Sequence, residues 1–114
     1  MFESRLVWSA FLVVLAIVLY ALFRPVPPEM IFENSDKVGH VIAFMALALT
    51  GRLALQVESK CFWVLMFVLA FALEWLQGEL RPLRIFSYED VYANMLGVLI
   101  AVVLFEGAVR YKRV

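Results

Sequence analysis

The chain has 114 residues, of which 65% are hydrophobic, with a mean hydropathy of +0.91 and a formal net charge of 0 at pH 7. A water-soluble core of that size could not bury so many Leu, Val and Phe side chains, so lipid must act as part of the solvent. Neutral charge and the absence of a Lys/Arg run exclude the electrostatic footprint of a nucleic-acid binder, and the 1 cysteine, Cys61, excludes an internal disulfide or a multi-cysteine metal knuckle.

Taken in chain order, the first element is an uncharged apolar run from Leu6 to Phe23. About 18 residues at about 1.5 Å each span about 27 Å, close to the hydrocarbon thickness of a bilayer. The run is longer than a signal-peptide core and ends in Arg24-Pro25 without a small-x-small cleavage site. It is therefore read as a retained transmembrane helix. Pro25, Pro27 and Pro28 forbid its continuation, because proline lacks the N–H donor and clashes with the preceding turn.

A second span is predicted over 38–55, interrupted by His40, Thr50 and Arg52, with Arg52 placed to snorkel toward headgroups. A third covers 61–77 and is strongly apolar up to Glu74, with Gly78 as its expected C-terminal cap. Cys61 is read as a small apolar residue at its start. The fourth covers 90–108 and precedes the basic tail of Arg110, Lys112 and Arg113. Short connections make consecutive helices antiparallel neighbours. The expected fold is all-α: an integral membrane four-helix up-down bundle forming a single domain over 1–114. Ala93, Gly97 and Ala101, spaced by four, form a small-residue stripe on the last helix that permits close helix approach.

With an even number of spans both termini share a side, which also carries Arg5, Arg52, Lys60 and the basic tail. The positive-inside rule places that side in the cytoplasm and the opposite end of the bundle outside. Trp8 and Trp63 are expected at the cytoplasmic boundary, and Trp75, Phe86, Tyr88 and Tyr92 in an outer interfacial belt.

Polar residues gather at that outer end. Asp36 and His40 are four apart, as are Asp90 and Asn94, while Glu74 and Gln77 are three apart, so each pair shares a helix face. Arg84 joins them from the intervening loop. Ionisable groups in membrane helices are costly and face a bundle interior or cavity that uses them. Duller roles exist for each. Asn34, Ser35 or Asp36 would cap the second helix, and Ser87 with Asp90 matches a capping box. His40 and Asn94 would serve as interhelical hydrogen-bonding glue, Gln77 would fray into water, and Glu74 would form a structural pair with Arg84.

No HExxH, CxxC or GxSxG pattern occurs, so no metal and no cofactor is expected from spacing. Three gathered acids would nonetheless share a proton or a divalent cation, and oxygen-rich ligation suits Mg²⁺ or Ca²⁺.

The segments DKVGHVIAF (Asp36–Phe44) and EWLQGELRPLRIFSYEDVYANMLG (Glu74–Gly97) resemble the VanZ-like family. The matching positions are Asp36, Lys37, His40 and Phe44, then Glu74 and Gln77, then Arg84, then Asp90, Asn94 and Gly97. The resemblance implies a small multi-pass protein of the bacterial cytoplasmic membrane and cell envelope. The family takes its name from a protein linked to glycopeptide resistance, especially to lipid-tailed teicoplanin.

Two functional readings follow. In the first, the partner is a membrane lipid headgroup or a lipid-linked envelope precursor. Asp36, His40, Glu74, Gln77, Arg84, Asp90 and Asn94 then form an outward-facing binding pocket, with the Arg84 guanidinium on phosphate. In the second, the protein is an intramembrane enzyme with His40, Glu74 and Asp90 as candidate catalytic groups. A third reading makes the cluster a structural lock or a support for a partner protein. The second reading requires His40 within about 10 Å of Glu74 or Asp90.

Overall fold

A computed structural model describes residues 4–24, 31–55, 58–81 and 86–113. Among them are four α-helices: α1 (Ser4–Phe23), α2 (Ser35–Ala54), α3 (Ser59–Leu80) and α4 (Tyr88–Arg113). All four are long and apolar enough to cross a membrane. The expected all-α membrane bundle is thus the observed fold.

The helices are longer than the apolar runs that announced them, because hydropathy marks the lipid-facing stretch and the hydrogen-bond ladder continues beyond it. α2 starts at Ser35, so Asp36 and Lys37 make up its polar first turn. α3 runs through Gly78 to Leu80 and is closed by Arg81, whose N–H donates to the Gln77 carbonyl. Gly78 is therefore not a cap. It sits where α3 passes the backbone of Phe86, and a Cβ there would lie 3.0 Å from the Phe86 nitrogen. α4 starts at Tyr88, with the Ser87 hydroxyl accepting the Asp90 N–H at 3.3 Å.

α2 and α4 make the most extensive helix pair, α1 and α3 flank them, and α1 does not pack on α4. The small-residue stripe explains this intimacy: Ala93, Gly97 and Ala101 are all buried, and Gly97 lies directly on the α2 backbone at Val41 and Met45. Phe44, Ala48, Val98, Ala70 and Phe62 fill the centre between helices. Leu12, Val13, Ile17, Val64, Val68, Leu99 and Val103 point outward, as lipid-facing positions should. The molecule is 47 Å along its long axis, more than the roughly 30 Å hydrocarbon core, so helix ends reach the interfacial zone.

At the end carrying the termini, Arg52 donates to the Ser59 hydroxyl (2.7 Å from Nη2) and lies 4.9 Å from the Phe105 ring centroid. Trp63 is not a boundary anchor. It is buried and packs edge-to-face on Phe62 and Phe105, because its helix position turns it into the bundle. Trp8 remains exposed, as do Trp75, Tyr88 and Tyr92 at the other end.

Candidate functional site

The polar end of the bundle is built from the first turns of α2 and α4 and the last turns of α3. It contains four buried polar residues: Glu74 and Asn94 at 0% exposure, Gln77 at 3% and Asp90 at 9%. Such burial in an apolar medium is tolerated only when hydrogen bonds or opposite charges offset the lost hydration.

Asn94 ties three helices together. Its Nδ2 donates to the Ala70 carbonyl of α3 at 3.1 Å, which turns Oδ1 toward α2, where it accepts from His40 Nδ1 at 2.7 Å. Asn94 therefore fixes the imidazole orientation and leaves Nε2 as the outward ring nitrogen. That nitrogen faces Asp90 Oδ2 at 3.7 Å, too long for a direct hydrogen bond.

Asp90 explains why capping alone is insufficient. In a full capping box its carboxylate would reach back to the Ser87 N–H. Here the Ser87 N–H instead donates to Glu74 Oε1 of α3 at 3.2 Å, and the box is half made. The Asp90 carboxylate is released toward α2, where Lys37 Nζ lies 2.6 Å from Oδ1 as an ionic contact without hydrogen-bond alignment. Lys37 also donates to Asp36 Oδ2 at 2.7 Å. Asp36 thus stands at the rim, exposed and joined to the cluster through Lys37.

His40, Glu74 and Asp90 each offer one donor atom within 4.8 Å of the others. The three residues named as catalytic candidates therefore converge, far inside the limit that an acid–base role requires. Glu74 Oε2 is buried with no hydrogen-bond partner among the described residues. Gln77 lies apart. It donates to the Leu22 carbonyl at 2.7 Å, so it neither frays into water nor joins the triad. It satisfies one of the orphan carbonyls at the end of α1 and ties α3 to that helix. Arg84, and with it the expected Glu74–Arg84 pair, lies outside the described residues.

Lys37, Ser87 and the Ala70 carbonyl belong to this site although the pattern of membrane-embedded polar residues did not single them out. Lys37 was visible only as part of the family motif, and Ser87 only as a cap. A carbonyl carries no sequence signal at all.

The family model described as VanZ/LLP1 matches residues 4–109. The chain belongs to the VanZ/LLP1 family. The match takes in α1 as well as the helices that carry the polar motifs, so the whole bundle is the family unit. No curated protein and no solved structure matches the chain. Family membership and four spanning helices make this a small multi-pass membrane protein.

Proposed function

We propose that this VanZ/LLP1 protein is a bilayer-embedded binding module for a lipid headgroup or lipid-linked envelope molecule in the bacterial cytoplasmic membrane. Its polar end faces outward and its termini lie in the cytoplasm. The observation that carries the reading is the convergence of His40, Glu74 and Asp90, from three different helices, within 4.8 Å at the end of the bundle. Assembling these groups at interfacial depth is costly for a bundle that needs only to hold together. It matches the position of a headgroup whose acyl chains run down the lipid-facing helices.

Lys37 and Arg84 supply positive charge for phosphate, and His40 and Asp90 supply polar contacts for hydroxyls or amides. Trp75, Tyr88 and Tyr92 border the site as exposed aromatic groups suited to the headgroup region. A role in glycopeptide resistance of the teicoplanin type, or in envelope homeostasis, would follow from holding such a ligand.

A second reading, an enzyme acting on the same lipid, is favoured by one observation: His40 Nε2 faces a carboxylate and a second carboxylate lies within reach. His40 or Glu74 would then act as general base.

Mass spectrometry of lipids retained through purification tests the binding reading. Wild type is expected to retain a phosphate-bearing lipid that Lys37→Ala and Arg84→Ala lose, while Glu89→Gln keeps it. Identical lipid profiles in all four proteins would refute the proposal. Turnover of the retained lipid by wild type, abolished in Glu74→Gln, would move the assignment to the enzyme.

A further inference from the structure

Among the described residues, each member of the triad has one polar atom held in place and one left over. His40 Nδ1 is bonded to Asn94 Oδ1 at 2.7 Å, Glu74 Oε1 accepts the Ser87 N–H at 3.2 Å, and Asp90 Oδ1 faces Lys37 Nζ at 2.6 Å. Among the described residues, no hydrogen bond holds His40 Nε2, Glu74 Oε2 or Asp90 Oδ2. Glu74 is fully buried, and its Oε2 has no hydrogen-bond partner among the described residues. An ionised carboxylate oxygen left so is expensive unless a ligand completes it.

We infer that His40, Glu74 and Asp90 form a binding site for a divalent cation of the zinc or manganese type. The chemistry of the donor set selects this class. An imidazole nitrogen with two carboxylates suits Zn²⁺ or Mn²⁺, whereas an all-oxygen shell would suit Mg²⁺ or Ca²⁺. The imidazole shifts the choice away from the hard cations that acids alone would suggest.

The supporting contacts are those a metal site needs. A ligating histidine donates its other ring N–H to an acceptor that fixes tautomer and orientation, and ligating carboxylates are themselves hydrogen-bonded. Asn94, anchored on the Ala70 carbonyl, fills the first role, the Ser87 N–H fills the second for Glu74, and Lys37 holds Asp90 by an ionic contact.

The distances fit with small adjustment. Metal bonds of about 2.0–2.2 Å at tetrahedral angles put two ligand atoms about 3.3–3.6 Å apart. His40 Nε2 and Asp90 Oδ2 are 3.7 Å apart. One donor atom from each residue lies within 4.8 Å of the others, so the widest gap closes by about 1.5 Å at most, within reach of carboxylate rotation.

Three protein ligands leave a coordination position open, the arrangement in which a metal takes a water or a ligand oxygen. Among the described residues, Glu74, Asp90 and Asp36 gather three acids around the single ammonium of Lys37. A divalent ion offsets the gathered acids and presents its own positive charge at the open position, where an anionic oxygen can bind. The cation site stands on the triad geometry. Its use as a bridge to phosphate rests on the headgroup reading above.

The test uses the full chain in detergent, stripped of metal and then loaded with Zn²⁺, Mn²⁺ or Co²⁺. Wild type should retain about one metal ion per chain. His40→Gln and Glu74→Gln should weaken binding at least about tenfold with helicity unchanged, while Glu79→Gln and Glu89→Gln, at exposed acids of the same end, keep it. The chain has 1 histidine, so in Co²⁺-loaded wild type a paramagnetically shifted imidazole resonance reports His40 alone, even if the variants fail to fold.

No stoichiometric metal in wild type, or metal without a shifted imidazole signal, overturns the inference. So does equal binding in His40→Gln and Glu74→Gln when both are folded. Phosphate-bearing lipid retained by a wild type that binds no metal sinks the cation and spares the headgroup reading. Stoichiometric metal with no retained lipid does the reverse.

Discussion

Gly97→Ala is the sharpest test of how the helices position the site. A Cβ at residue 97 would overlap the Val41 carbonyl oxygen and lie 3.0 Å from the Met45 nitrogen and 3.2 Å from Phe44 Cβ. Two of these atoms are backbone within α2 and cannot rotate away. A normal carbon–oxygen contact of about 3.3 Å or more requires α2 and α4 to separate by on the order of 1 Å. Overpacking of that kind costs about 1–3 kcal/mol. The His40–Asn94 bond spans the same interface, and loosening it adds about 0.6 kcal/mol. Against this, alanine improves helix propensity by about 0.5–1 kcal/mol. The net expectation is a loss of about 0.6–3 kcal/mol in reversible unfolding in bicelles.

Gly39 and Gly107 are internal controls, because a Cβ at either meets nothing within 4 Å. Gly39→Ala and Gly107→Ala should be neutral or more stable than wild type by up to about 1 kcal/mol. If Gly97→Ala unfolds with them, at or above the wild-type midpoint, the close α2–α4 approach is not what holds this bundle.

Gln77→Ala leaves the Leu22 carbonyl without its partner and should cost about 1 kcal/mol in the same assay, with cation and lipid retention unchanged; loss of either would place Gln77 in the site. Ser87→Ala removes the α4 cap and should cost about 0.5–2 kcal/mol, yet it keeps the backbone N–H that holds Glu74, so metal retention should persist. Orientation is read by impermeant-maleimide labelling in a Cys61→Ser background. Glu89→Cys should label in intact spheroplasts and Glu58→Cys only after permeabilisation, and the opposite pattern would invert the topology.

The fold was legible because lipid-facing helices write themselves as apolar runs, and because helix spacing put Asp36 with His40, Glu74 with Gln77 and Asp90 with Asn94 on shared faces. Convergence of His40, Glu74 and Asp90 followed from antiparallel connectivity, which brings the starts of α2 and α4 to the end of α3. Helix periodicity could not sort those residues by partner. Gln77 shares a face with Glu74 yet bonds to α1, because the angular difference across three residues is enough to change the neighbour. Nor could it show that Ser87 would give its N–H to Glu74 rather than to Asp90, a choice made by the approach of α3 and α4. Trp63 misled for a related reason: an aromatic residue near a helix end reads as an anchor unless its neighbours are known.

The same contacts separate glue from site among the buried polar groups. Both amides make hydrogen bonds within the bundle: Asn94 bonds to Ala70 and His40, and Gln77 donates to the Leu22 carbonyl at the end of α1. Glu74 differs, holding one oxygen on Ser87 while the other has no hydrogen-bond partner among the described residues. A buried carboxylate with one oxygen lacking a partner carries a desolvation cost that an apolar residue of similar size avoids. Glu74→Met should therefore unfold no more easily than wild type, even after about 1 kcal/mol is lost at the Ser87 N–H. It should also lose the cation and any phosphate-bearing lipid. A lock whose function is only to join helices predicts the opposite sign. If Glu74→Met destabilises the bundle by more than about 2 kcal/mol while ligand retention follows protein abundance, Glu74 is structural and the site reading fails.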